Sequence, residues 1–197
     1  MVLKSASILV PTFDQLEEAF RVYLDEMDRC VQGKCYWALL HLAVVIPDIC
    51  GALEAQNGEA TKAGYVDWCG RMFPPSPPAP LLPDDRYVIR CILLHQGRTL
   101  ASKGQYAYYK FTPPPPIGVR VHGTQFASDQ ITLDVVEMAE ETKRALRKWF
   151  QDLQDPTEAQ RAAGVAKNLS ALVTVKPQPV PGTGGFIVNV THTSTSS

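Results

Sequence analysis

Arg90 and His95 stand five positions apart in the segment Arg90-Cys91-Ile92-Leu93-Leu94-His95. A guanidinium among apolar neighbours on a helix is costly without a partner. An imidazole that titrates near neutrality can take or give a proton. A guanidinium can hold a phosphate and stabilise charge that builds on phosphorus. With an RNA 2′-hydroxyl as internal nucleophile, such a pair needs no metal, and the product is a 2′,3′-cyclic phosphate. On one helix the two Cα directions differ by about 140°. The pair therefore meets only if the long arginine curls toward an imidazole near the helix end, or if two copies face each other across a dimer axis. Asp48 is the expected auxiliary, because a carboxylate can orient an imidazole or fix a guanidinium. Gln96 directly follows His95 and is placed to touch a ligand. The competing reading is structural: Arg90 pairs with Asp48, Asp85 or a helix end, and His95 caps carbonyls at a C-terminus.

The elements that must position these residues are mostly helical. Leu16, Phe20, Tyr23, Leu24 and Met27 mark one face of a first helix over about 14–32, with Gly33 as its stop. A second helix, about 35–55, is apolar on nearly every side as far as Ile46, which places it at the centre of a bundle. Pro47 removes one backbone donor and predicts a kink, with Asp48 beside the freed carbonyls. A weaker third helix covers about 59–73. The segment 74–83, rich in proline, predicts a stiff extended connector. The motif helix follows over about 85–96, with Asp84 as N-cap and Gly97 as stop. Residues 105–111 and 117–122 read as two short strands of a loose edge ribbon. The last long helix spans about 132–153, with acids at its start and bases at its end. Within it, Glu140 and Arg144 form an expected i,i+4 pair. The resulting expectation is a mainly α fold: an antiparallel helical bundle of four to five helices, with a short β-ribbon inserted before the last long helix. Residues 1–155 form that domain. Residues 156–197 form an extension, helical over about 157–172 and then a Pro/Gly/Thr/Ser-rich tail with one apolar stretch at 186–190.

The spacing of arginine, four residues and histidine resembles the signature of the HEPN superfamily, the higher eukaryotes and prokaryotes nucleotide-binding domains. The likeness covers about residues 14–153, but only Arg90 and His95 carry the motif. It implies a small helical domain, usually dimeric. Many members are metal-independent ribonucleases of toxin–antitoxin, phage-defence or RNA-processing systems, and others are binding modules without catalysis. By this resemblance Arg90 would bind the phosphate and His95 would be the general acid/base. The family often has a polar residue after the arginine, where this chain has Cys91. The implied partners are a second copy, RNA, and an antitoxin or other protein.

Composition narrows the classes further. The chain has 197 residues, 45% of them hydrophobic, which suits a packed core rather than a disordered chain. Its formal net charge of −1 supplies no general field for a polyanion, so nucleic-acid contact needs a local basic patch. Arg144, Arg147, Lys148, Arg161 and Lys167 are candidates, though a solvated helix face that complements its own dipole is the favoured reading. Tyr106, Tyr108, Tyr109 and Phe111 could stack bases or simply pack the ribbon. His41 reads as a core histidine that could also line the Arg90 cleft. His122 and His192 lack evident partners. Five cysteines, mostly in apolar runs, read as reduced core residues, and Cys30 and Cys35 lack the second pair a zinc site needs. No cofactor or metal is expected. The apolar stretch 8–10 is too short for a secretion signal, and Leu42–Ile46 falls far short of a membrane span. A cytoplasmic location without membrane attachment is the expectation. Gly182–Gly185 lacks the lysine of a phosphate loop, and there is no G-x-S-x-G, H-E-x-x-H or paired C-x-x-C motif.

Overall fold

Thr12 opens the first helix through a reciprocal pair of bonds. Its hydroxyl accepts the Gln15 N–H at 3.2 Å, and its own N–H donates to the Gln15 side chain at 2.9 Å. This helix, α1 (Phe13–Gln32), buries Leu16, Phe20, Leu24, Met27 and Cys30, the face read from their spacing. In the computed structural model the described residues are 10–74, 81–172, 175–179 and 186–190. Ile8 and Leu9, most of the proline-rich connector, Gly182–Gly185 and His192 lie outside them.

The chain is mainly helical with a small three-stranded sheet. The apolar helix α2 (Tyr36–Glu54) is in contact with α1, with α3 (Lys62–Met72) and with the motif helix α4 (Pro83–Gln96). It also meets α5 (Val135–Asp152) and α6 (Ala159–Asn168). By length and composition α2 would also suit a membrane, yet half of its most apolar window is buried inside the fold. α2 continues through Pro47. The missing proline N–H frees one carbonyl a turn back, Ala43 O. The Thr142 hydroxyl, bonded to Met138 O at 2.9 Å, also lies 3.4 Å from it, while Tyr65 donates to the neighbouring Val44 O at 3.3 Å.

Close backbone approach sets where α3 lies against α2. A Cβ on Gly51 would stand 3.0 Å from Gly64 C and 3.2 Å from its oxygen, both backbone atoms that cannot swing away. Gly51→Ala is expected to cost about 1–3 kcal/mol through forced separation of the helices. Thermal unfolding checks it, and an unchanged midpoint would contradict the contact. Deeper in, Glu54 accepts Trp149 Nε1 at 2.7 Å and Arg71 Nη2 at 2.5 Å, tying α2, α3 and α5 around Trp68, Trp149, Phe20 and Phe150.

The expected ribbon is corrected. The strands are β1 (Tyr108–Thr112), β2 (Thr124–Ala127) and β3 (Gln130–Asp134), in the order β1-β3-β2. β3 runs parallel to β1 and antiparallel to β2. Residues 117–122 form no strand. Their alternating Val119 and Val121 suggested one, but Ile117 and Val119 are 91% and 87% exposed and pair with nothing described. The overlooked signal was the Ser128-Asp129 turn between two β-prone runs. β3 also takes residues 130–134, so the last helix begins at Val135 and not at 132. Asp134 caps it, accepting from Val136 N at 2.8 Å and Glu137 N at 3.0 Å. The Glu140–Arg144 pair does not form: Arg144 reaches Glu137 at 2.7 Å, and Glu140 receives Lys143 at 2.8 Å. Beyond α5, short 3₁₀ turns at Pro156–Glu158 and Leu169–Ala171 flank α6. The strands β4 (Val175–Pro179) and β5 (Phe186–Val190) pair antiparallel within the stretch read as a tail.

Candidate functional site

α4 begins two residues earlier than expected. Leu82 is the N-cap residue, Pro83 sits in the first turn, and Asp84 and Asp85 follow, favoured there by the helix dipole. Asp84 is therefore not the cap. The helix stops at Gly97, whose φ of 58° and N–H bond to Ile92 O close the last turn. His95 falls in that last turn, exposed, while Arg90 lies one and a half turns earlier and is half-buried.

The arginine does curl along the helix. Arg90 Nη1 lies 2.8 Å from His95 Nε2, within one protomer. A guanidinium only donates, so Nε2 is the accepting nitrogen and the ring hydrogen of the neutral imidazole belongs on Nδ1. On its other side Arg90 Nε donates to Asp48 Oδ2 at 2.6 Å, a bond spanning 42 residues of sequence. The side chains of Arg90 and Asp48 are 20% and 13% exposed, so the pair is sheltered but reachable. Burial alone would lower the arginine's pKa, but the Asp48 carboxylate outweighs it and holds the guanidinium above its ordinary value. The Asp48 bond goes to the guanidinium and not to the imidazole. Asp48 thus acts on Arg90, and Arg90 on His95.

No family model matches this chain, and no curated protein or solved structure does.

Gln96 caps a different feature. It lines a cavity of about 540 Å³ with Tyr87, Val88, Cys91 and Ile92 of α4 and the segment 101–104. The Arg90 guanidinium carbon lies 6.0 Å from the Tyr87 ring centroid, so the cavity and the Arg90–His95 pair share one wall. The wall opposite α4 is held by Asp85, which is 1% exposed and accepts Gln105 N at 2.6 Å and the Tyr109 hydroxyl at 2.8 Å. Gly104 is required there: its φ is 113°, and a Cβ would stand 2.5 Å from the Tyr109 oxygen. Burial, followed by the bond to Asp85, pushes the Tyr109 phenol up.

The other candidates resolve individually. His41 Nδ1 lies 2.7 Å from Trp37 O on its own helix, and its ring packs on Trp37 at 4.5 Å. Tyr106 and Tyr109 are buried, and Tyr108 is the exposed tyrosine of the sheet. Of the basic strip, Arg144, Lys148 and Arg161 are paired with Glu137, Asp152 and Glu158, and Lys167 donates to Gln56 O. Four of its five cations are thus already engaged. His122 does have partners, against expectation. It accepts the Asp134 N–H on Nδ1 at 3.1 Å, which places its ring hydrogen on Nε2, 3.3 Å from Glu141 Oε1. Glu141 in turn pairs with Arg86 at 2.8 Å. Sequence spacing carries no signal for this network, because its members come from α4, α5 and the loop before β2. All five cysteines are free thiols. Among the described residues no three His, Cys, Asp or Glu side chains gather as a metal site requires.

Proposed function

We propose that this chain is a HEPN-like antiparallel helical bundle that acts in the cytoplasm as a homodimeric, metal-independent endoribonuclease. The single observation that carries the reading is the 2.8 Å contact between Arg90 Nη1 and His95 Nε2, with Asp48 holding the guanidinium from behind. In this reading a backbone phosphate of RNA enters beside the pair. Arg90 binds a non-bridging oxygen and stabilises the charge that grows on phosphorus. As the guanidinium turns to the phosphate it releases His95 Nε2, which accepts the proton of the 2′-hydroxyl while that oxygen bonds to phosphorus. The P–O5′ bond breaks, and the departing 5′-oxygen takes a proton from the imidazolium or from water. Asp48 positions Arg90 without touching the reacting atoms. Gln96 belongs to the substrate cleft next to them.

The test is cleavage of a single-stranded RNA in EDTA. The expected products carry a 2′,3′-cyclic phosphate and a 5′-hydroxyl. An oligonucleotide with 2′-deoxyribose at the scissile position is expected to stay intact, since the nucleophile is gone. Cleavage of the deoxy substrate at an equal rate would remove the assignment.

A second reading is a non-catalytic interaction module of a toxin–antitoxin or phage-defence system. It draws on Ile117, Val119 and Phe126, which are 91%, 87% and 69% exposed on one loop and the edge strand that follows it.

A further inference from the structure

The cavity beside the Arg90–His95 pair combines an aromatic and apolar wall with an amide and with lysines at its rim. Its volume, about 540 Å³, lies inside the roughly 300–1,000 Å³ range of small-molecule sites. One wall is the α4 face of Tyr87, Val88, Cys91 and Ile92, residues that recur at helical spacing and offer an aromatic ring on an apolar floor. The ring is held from behind by Tyr65, edge-on at 5.4 Å, whose own hydroxyl donates to Val44 O and Arg86 O deep in the core. Tyr87 is therefore a fixed platform. Gln96 at the end of the wall carries both an amide donor and an acceptor, the combination that reads a base edge.

The cations at the rim complete the pattern. Lys62 Nζ lies 5.5 Å from the Tyr87 centroid and pairs with Asp84 at 2.9 Å, with both side chains more than half exposed. Such a surface pair exchanges readily for a phosphate. Lys103 lines the cavity from the opposite segment, which Asp85 holds through the Gln105 N–H. An aromatic platform with an amide and flanking lysines suits an unpaired base and its backbone phosphate. A base paired within a duplex could not enter.

We infer that this cavity binds the nucleobase next to the scissile phosphate of single-stranded RNA, stacked on Tyr87. The inference rests on the proposed ribonuclease reading, because the shared Tyr87 wall is what sets the base beside Arg90.

Cys91 supplies a reporter independent of catalysis. It lines the cavity and is half-exposed, whereas Cys50 and Cys69 are buried, burial pushing Cys69 up to about 12. Cys35 is exposed and does not line the cavity. The full chain is alkylated with iodoacetamide, and each cysteine is followed by peptide mass spectrometry, with the four nucleoside 3′-monophosphates as probes. Cys91 is expected to slow about tenfold at a nucleotide concentration ten times its dissociation constant, with Cys35 unchanged. Tyr87→Ala is expected to abolish the protection, and Tyr87→Phe to keep it. His95→Ala is expected to keep the protection while losing cleavage. Unprotected Cys91 with all four nucleotides overturns the inference. So does equal protection by ribose 5-phosphate or inorganic phosphate, which would reduce the cavity to an anion site. If protection holds but His95→Ala cleaves like wild type, the cavity stands and the ribonuclease reading falls.

Discussion

Arg90→Ala and His95→Ala will each lower RNA cleavage in EDTA by about 10²–10⁴-fold, and the double variant will lose little more than either alone. The two groups act as one unit through the 2.8 Å bond between them, so removing either dismantles the other's role. Their stability effects will differ. Arg90→Ala strips the counter-charge from Asp48, whose side chain is only 13% exposed, and a cost of about 1–3 kcal/mol follows, less than for a fully buried pair. His95 is exposed in the last turn, so its alanine variant should unfold like wild type. Arg90→Lys separates charge from geometry. A lysine restores a cation for Asp48 but lacks the planar fork that bonds Asp48 through Nε and His95 through Nη1 at once. Much of the stability should return without the activity. Single-turnover cleavage beside thermal unfolding measures both, and a fully active Arg90→Lys variant would contradict the geometry.

The second large effect lies away from the cleft. Glu141 accepts from Arg86 at 2.8 Å and from His122 at 3.3 Å, with side-chain exposures of 15%, 10% and 20%. Burial would raise this carboxyl, but the His122 bond and the Arg86 guanidinium outweigh it and bring it from 4.5 to about 2. A carboxyl lowered in the folded state contributes stability that is fully present above its unfolded value. That stability is lost as pH falls through the folded one. The window is therefore pH 4.5 down to about 2, and a shift of this size corresponds to roughly 3 kcal/mol. Glu141→Gln keeps the shape but turns an amide toward Arg86, whose side chain is 10% exposed and is left without its counter-charge. A loss of about 2–4 kcal/mol at neutral pH is expected, or roughly 5–15 °C in the unfolding midpoint. Denaturant titrations at pH 7, 4.5 and 3 check both parts. The gap between wild type and variant should narrow as pH falls. A constant gap would mean that the charge of Glu141 does not stabilise the fold.

These two networks differ in how far they could be read in advance. The Arg90–His95 contact depends on one helix and the length of one side chain, and the five-residue spacing near Gly97 left it as one of two routes, the other being a dimer axis. Asp48 was an inference from neighbouring helices, and its bond to Arg90 depends on α2 and α4 packing side by side. The Glu141 cluster was invisible, because His122 reaches it only after the chain has made β1 and a long loop. The β-ribbon failed for a related reason. Ile131 and Leu133 suit a helix stripe as well as a strand, and pairing with β1 decided between them. The Tyr87 cavity likewise needs the segment 101–104 folded back over α4, which the buried Asp85 carboxylate and Gly104 make possible.

Residue order alone determined the helices α1, α2, α4 and α5, the stop at Gly97 and the arginine that can reach a histidine on its own helix. Those follow from a 3.6-residue period and from local capping, interactions that close within a few positions. Packing decided the rest: which carboxylate meets Arg90, which strand lies at the centre of the sheet, and where a cavity opens. Such choices join groups from 20 to 99 residues apart. Their energies come from burial and charge pairing, which exist only once the helices have met.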